Sequence, residues 1–204
     1  FPGSPLLSDS VDESFAAVEV PGKGWRLTIT PAGLRRCGRI VVVVAGAGKA
    51  KAVKAADALK YVAGYTVMND VSERRLLIRE RTETRPRDRW FDWLNGKWLD
   101  TFAPQGPWIV TADEIPDPQA LEISTYVNGE RRQHNYTSQM LFSVADTIEY
   151  ISAIITLDPG DIISTGTVSG VGATTGEFLK PGDSVDIEVS GVGVLRNRVV
   201  ASKR

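Results

Sequence analysis

Apolar residues in this chain change their spacing several times, and each change predicts an element. Ile40, Val41, Val42, Val43 and Val44 form an unbroken β-branched run, which predicts a buried strand. Val53, Ala56, Leu59, Tyr61 and Val62 then fall near helical spacing, with Gly64 placed as a helix stop. A short strand over 65–68 delivers Asn69 and Asp70 to its end. Residues 121–127 alternate and run into Asn128-Gly129, a strong hairpin signal. Ser143 is placed to cap a helix reaching Ile155, with Val144, Ile148, Ile151 and Ile155 as its apolar stripe. Pro159-Gly160 turns the chain into a strand over 161–165. Runs over 185–189 and 192–200 predict a closing pair of strands around Gly191. Upstream of Ile40, prolines and glycines break any long element, and only 25–29 alternates as a strand. Many strands with two helices predict an α+β fold rather than a wound parallel sheet.

Composition narrows the class of partner. The chain has 204 residues, 42% hydrophobic and 24% charged, which suits one large domain. A net charge of −1 gives no attraction to nucleic acid or to an anionic membrane. The single Cys37 excludes an internal disulfide and a cysteine-based zinc site, and suits the cytoplasm. No apolar run reaches bilayer-spanning length, and no signal peptide is visible. A start at Phe1 rather than Met predicts a fragment or a processed start.

Two segments carry the candidate chemistry: Asn69-Asp70-Val71-Ser72-Glu73-Arg74, and Gly96-Lys97-Trp98-Leu99-Asp100-Thr101. Asp70 reads either as a ligand for a hard divalent cation or as a turn or helix-cap acid. Lys97 reads either as a fixed charge for a developing oxyanion or as a surface lysine. Thr101 either offers an oxygen to the same cation or sits in a strand. Thr165-Gly166-Thr167, after a strand, has amides and hydroxyls suited to a carboxylate. It is neither a Walker loop nor a dinucleotide fingerprint. The arginine-rich stretch 72–89 reads as a solvated loop or as an anion-attracting flap. Lone His134 reads as an exposed loop residue, and Trp90, Trp93, Trp98 and Trp108 as core.

The segments DALKYVAGYTVMNDVSERR, WFDWLNGKWLDTFAPQGPWIVTADEIPDP, VNGERRQHNYTSQMLFSV, LDPGDIISTGTVSGVG and FLKPGDSVDIEVSGVGVLRNRV closely resemble the fumarylacetoacetate hydrolase family. The resemblance runs from about 41 to 200. WFDWLNGKW with NDVSERR looks like its bacterial oxo-acid isomerase and decarboxylase branch. It implies a mixed β-roll or β-sandwich with flanking helices, usually as a homodimer. It implies Mg²⁺, Mn²⁺ or Ca²⁺ and 2-oxo acid or β-dicarbonyl substrates in aromatic catabolism. Hydrolysis, decarboxylation or isomerisation would pass through a metal-stabilised enolate, as for 2-hydroxyhepta-2,4-diene-1,7-dioate. By position, the resemblance makes Asp70 a metal ligand, with Lys97 and Thr101 bordering the metal and oxyanion. It makes Arg74 a substrate contact, and Thr167, with Gly166, the binder of the substrate carboxylate.

One part of the family pattern is missing. The resemblance expects a Glu-x-Glu pair before the valine strand, where this chain reads Arg36-Cys37-Gly38-Arg39. The upstream catalytic histidine and its glutamate partner also have no match in 1–39. The expected division is therefore an irregular or incomplete segment, 1–39, and a family domain, 40–204. Three outcomes stay open: a truncated or altered N-terminal sequence, a member that has lost metal binding and serves as a binding or dimer-assembly module, or a site completed by Glu13 or Glu19. Metal binding is expected to be weak or lost, since Arg39 near the site would repel a cation.

Overall fold

The computed structural model describes residues 15–20, 24–29, 41–44, 50–76, 78 and 80–201, the first three segments as strand backbone. Three antiparallel sheets make up the strand content of the described residues. A hairpin pairs β1 (Phe15–Val20) with β2 (Gly24–Ile29), so the alternating run at 25–29 is a strand. A four-stranded sheet has the order β5-β4-β3-β8, from β3 (Val41–Val44), β4 (Val62–Met68), β5 (Gln105–Thr111) and β8 (Ile162–Ser164). A second has the order β10-β9-β6-β7, from β6 (Glu122–Val127), β7 (Glu130–Tyr136), β9 (Ser184–Val189) and β10 (Gly193–Arg198). With helices beside antiparallel sheets in the chain order and no closed barrel among the described residues, the α+β expectation holds.

Most elements fall where the hydrophobic pattern put them. The β6–β7 turn is Asn128-Gly129, both at positive φ, 52° and 82°, as a two-residue hairpin of that twist requires. Helix α3 (Val144–Ile154) begins at Ser143 with a complete capping box. Ser143 Oγ accepts from the Asp146 N–H, and the Ser143 N–H donates back to the Asp146 carboxylate. Val144 and Ile148 are buried, whereas Ile155, past the helix end, is exposed.

The predicted helix over 53–62 is the main departure. Only α1 (Ala55–Ala58) and one 3₁₀ turn form, and β4 starts at Val62. Gly64 is not a stop but a mid-strand residue. A Cβ there would stand 2.3 Å from the Val110 carbonyl oxygen, so glycine lets β5 approach. A helix that the apolar pattern did not predict, α2 (Asp88–Asn95), starts where the charged stretch ends. The tryptophans correct the core expectation: Trp90 and Trp93 on α2, Trp98 just beyond it and Trp108 on β5 are all exposed.

The core lies between the two large sheets and under α3. Tyr65, Val67 and Val110 face Val185, Ile187, Val189 and Leu195, with Ile148 and Leu157 closing one side. Burial pushes the Tyr65 phenol up to about 12, with the Asp117 charge adding to it. Ser152, fully buried on α3, accepts from the Val53 N–H at 2.9 Å and donates to the Glu149 carbonyl.

Candidate functional site

The site begins where β4 ends. Because β3 pairs antiparallel with both β4 and β8, those two strands run parallel and release their loops at the same end of the sheet. Val41 is opposite Thr66 on one side and Ser164 on the other. The Asn69-Asp70 loop and the Thr165-Gly166-Thr167 loop therefore leave about 10 Å apart, two strand spacings.

Register brings the second segment to the first. Met68 is opposite Gln105, and the Asn69 N–H donates to the Pro104 carbonyl at 2.9 Å. Asn69 is buried, and its side-chain amide donates to Asn197 Oδ1 at 3.2 Å, tying the loop to β10. Further along, the Glu73 N–H donates to the Gly96 carbonyl at 2.9 Å. Gly96 ends α2 with nearly helical φ of −64°, and its missing Cβ makes room for the Glu73 backbone.

Between these ties the Asp70 carboxylate pairs with the Lys97 ammonium. The side chains are 29% and 19% exposed, so water screens the pair only in part. Lys97 also lies 5.7 Å from the Trp93 ring centroid. These contacts decide against a simple surface lysine. No helix follows Asp70, so the helix-cap reading of that residue also falls. Thr101 occupies an exposed turn, not a strand, with φ of 69°.

The other expected residues lie on the two loops that leave this end of the sheet. Arg74 is exposed on the turn after Ser72-Glu73. Gly166 has φ of 109°, a value that suits glycine, and Thr167 is exposed, with Oγ1 3.5 Å from the Val168 carbonyl. The loop is anchored on β7: Gln133 Nε2 donates to the Val168 carbonyl at 2.7 Å, and Gly170 packs against the Arg132 backbone. His134 lies on β7 rather than in a loop, 2.7 Å from Glu122 Oε1. It pairs opposite Ser124, whereas Gln133 pairs opposite Thr125, so the two side chains leave opposite faces of the sheet.

Within the arginine-rich stretch, two arginines are tied to carboxylates of α2. Arg81 bonds Asp92 through both terminal nitrogens, at 2.7 and 2.5 Å, and the Arg85 guanidinium reaches Asp88 at 2.9 Å. Those hydrogen bonds hold both aspartates below the ordinary carboxylate value. Ser72 escaped notice in the sequence. Its Oγ is buried with no hydrogen-bond partner among the described residues. Two open hollows, of about 300 and 400 Å³, lie elsewhere, around Ile115, Leu121 and Gly191 and around Trp108 and Glu188.

A divalent cation is tested directly by this donor set. Among the described residues no group of three histidine, cysteine, aspartate or glutamate side chains is placed to hold one. Asp70 is a single carboxylate already facing an ammonium. The window 36–39, where two glutamates are expected, contains no acid and lies outside the described residues, as does Glu13. Glu19 lies on β1, described there as backbone. The described residues alone do not make up the ligand set of a resident divalent cation.

Comparison with known proteins sets these residues in context. The family model described as fumarylacetoacetate (FAA) hydrolase, C-terminal, matches residues 8–200. A Burkholderia cenocepacia protein with only a provisional hydrolase name is 47% identical over 154 residues, 74% of this chain and 51% of that protein. The chain thus spans about half the length of the curated relatives it matches. The 2-hydroxyhepta-2,4-diene-1,7-dioate isomerase of Mycobacterium marinum is 32% identical with a TM-score of 0.67, covering 95% of this chain and 77% of its own. Fumarylpyruvate hydrolase of Pseudomonas aeruginosa, crystallised with Mn²⁺ and pyruvate, is 30% identical with a TM-score of 0.68, covering 82% and 66%.

Proposed function

The chain belongs to the fumarylacetoacetate hydrolase family, and from that premise we propose that its Asp70–Lys97 site works on small 2-oxo acids or β-dicarbonyl compounds. The observation that carries this reading is the partly buried Asp70–Lys97 pair, fixed between two backbone ties at the sheet end that also releases the Thr167 loop. Hydrolysis across a β-dicarbonyl, decarboxylation and keto–enol isomerisation all place negative charge on an oxo-acid oxygen. Lys97 supplies a fixed positive charge for that oxygen, and Asp70 orients it. Arg74 and the amides and hydroxyl of Gly166-Thr167 serve the substrate carboxylate. Family relatives include both hydrolases and isomerases, which supports hydrolysis or isomerisation of an oxo acid as the reaction, with decarboxylation as a third outcome.

The lack of a three-ligand group among the described residues supports a second reading, a non-catalytic binding or dimer-assembly module that keeps the anion site. One assay series separates the two. Oxaloacetate decarboxylation and acylpyruvate hydrolysis are measured with and without Mn²⁺, alongside Asp70→Ala and Lys97→Met. Turnover that falls by about 10²–10³ in Lys97→Met with the fold intact supports the enzyme. No turnover by the folded parent under any condition sinks it and leaves the binding module.

A further inference from the structure

The loop after β4 and the segment after β8 meet through two side chains that neither motif uses. The Arg75 guanidinium lies over the Phe178 ring, 5.4 Å from its centroid. Arg75 follows the expected substrate contact Arg74, and its N–H donates to Glu73 Oε1 at 2.7 Å. Phe178 lies just beyond the short helix α4 (Gly172–Thr175), which ends on Gly176 in the left-handed region. A Cβ on Gly172 would meet the Glu177 carbonyl oxygen at 2.3 Å and Phe178 Cδ1 at 3.7 Å, so this turn folds tightly back on itself.

Behind the contact, the segment is held by the edge strand. Arg132 on β7 pairs with Glu177, and Gln133 on β7 reaches the Val168 carbonyl. One end of the segment is thus fixed to the second sheet, while Phe178 reaches across to the loop that carries Asp70. We propose that Arg75 and Phe178 form a latch that sets the separation between the Asp70–Lys97 pair and Thr167. They are positioning residues for the oxo-acid site, and in that sense the latch rests on the functional reading above. Arginine suits the task, because its planar, weakly hydrated guanidinium stacks on an aromatic face. Phe178 is 45% exposed, and such an exposed contact shifts an equilibrium only about two- to fivefold. A contact of that strength holds two loops in register and still opens for ligand exchange.

Hydrogen exchange followed by mass spectrometry on the full chain tests the latch. Peptides covering 70–76 and 166–178 are compared in the parent, Arg75→Ala, Phe178→Ala, the double variant and Phe178→Tyr. Pyruvate is titrated against each. Either single alanine is expected to speed exchange in both segments by about two- to fivefold, and the double variant by no more than one single. Phe178→Tyr restores the parent rates, and the pyruvate Kd rises by a similar factor in the alanine variants. Faster exchange confined to the mutated segment, or a double variant that adds the two singles, overturns the latch. Coupled exchange with an unchanged pyruvate Kd overturns the positioning role. If the parent binds no pyruvate but exchange remains coupled, the oxo-acid reading fails and the latch stands.

Discussion

Replacing Gly96 with alanine gives the sharpest test of how the site is assembled. Its backbone, at φ −64° and ψ −9°, is one that alanine adopts readily. On its own helix, then, Gly96→Ala should help by about 0.5–1 kcal/mol. The obstacle is the neighbouring loop. A Cβ would stand 2.2 Å from the Glu73 carbonyl oxygen and 3.2 Å from its carbon, where 3.4 Å begins ordinary contact. Both are backbone atoms and cannot swing aside, so the helix end and the loop must part by about 1 Å. The Glu73 N–H to Gly96 carbonyl bond stretches, and Asp70, three residues upstream, moves away from Lys97. Overpacking of this kind costs about 1–3 kcal/mol. After the helix gain, the net loss is at most about 2.5 kcal/mol, a Tm drop of up to about 10 °C for a chain of this length. Turnover should fall further than stability does, because a 1 Å misplacement costs about 10²-fold in rate. Calorimetry, exchange at the Glu73 amide and oxo-acid turnover are measured together. If Gly96→Ala melts at or above the parent temperature with an unchanged Glu73 amide, the close approach is not what holds this site.

Two further outcomes test the scaffold. Ser143→Ala removes the oxygen that caps α3 and should cost about 1 kcal/mol, read as a lower denaturation midpoint with an unchanged m-value. Asp88 and Asp92 carboxyls lie below their ordinary 3.8, held there first by hydrogen bonds from Arg85 and Arg81. A depressed folded-state value means that these ties contribute fully above 3.8 and are lost as pH falls from there through the lowered values. Fluorescence of Trp90 and Trp93 on the same helix should stay flat from pH 7 to 5 and change only below that carboxylate range; a transition centred between pH 5 and 6 contradicts the assignment.

What the sequence made legible was governed by local chemistry. Asn128-Gly129 has the φ values of its turn built into its residue types, and Ser143 with Asp146 carries its own cap. Asp70 and Lys97 were recognisable as residues, but their pairing depends on the β4–β5 register and on Gly96, which no spacing rule reports. Gly64 misled because a glycine after an apolar periodic run reads as a stop, while here it admits the Val110 backbone. The tryptophans misled because aromatic residues are most often buried, and α2 carries Trp90 and Trp93 on an exposed helix. Ser72 gave no signal at all, since only the packed structure reveals a buried hydroxyl without a partner.

The turn between Lys97 and β5 shows why this arrangement persists at some energetic expense. Thr101 and Ala103 both adopt positive φ, 69° and 74°, with no glycine to relieve the strain. Such backbone costs on the order of 1 kcal/mol per residue, and a β-branched threonine is a marked exception there. Neither residue can relax alone. The Phe102 N–H is bonded to the Leu99 carbonyl, and Pro104 receives the Asn69 N–H just before β5 enters its register. Upstream, α2 hands over to the turn through the Gly96 and Lys97 N–H bonds to Asp92 and Leu94. Both ends are thus fixed by regular structure, and the strained residues are forced to span the gap. Lys97 is presented to Asp70 by this over-determined turn rather than by their mutual attraction, which partial exposure weakens. The geometry of the ion pair is therefore a property of the scaffold, available to a ligand without having to be formed by it.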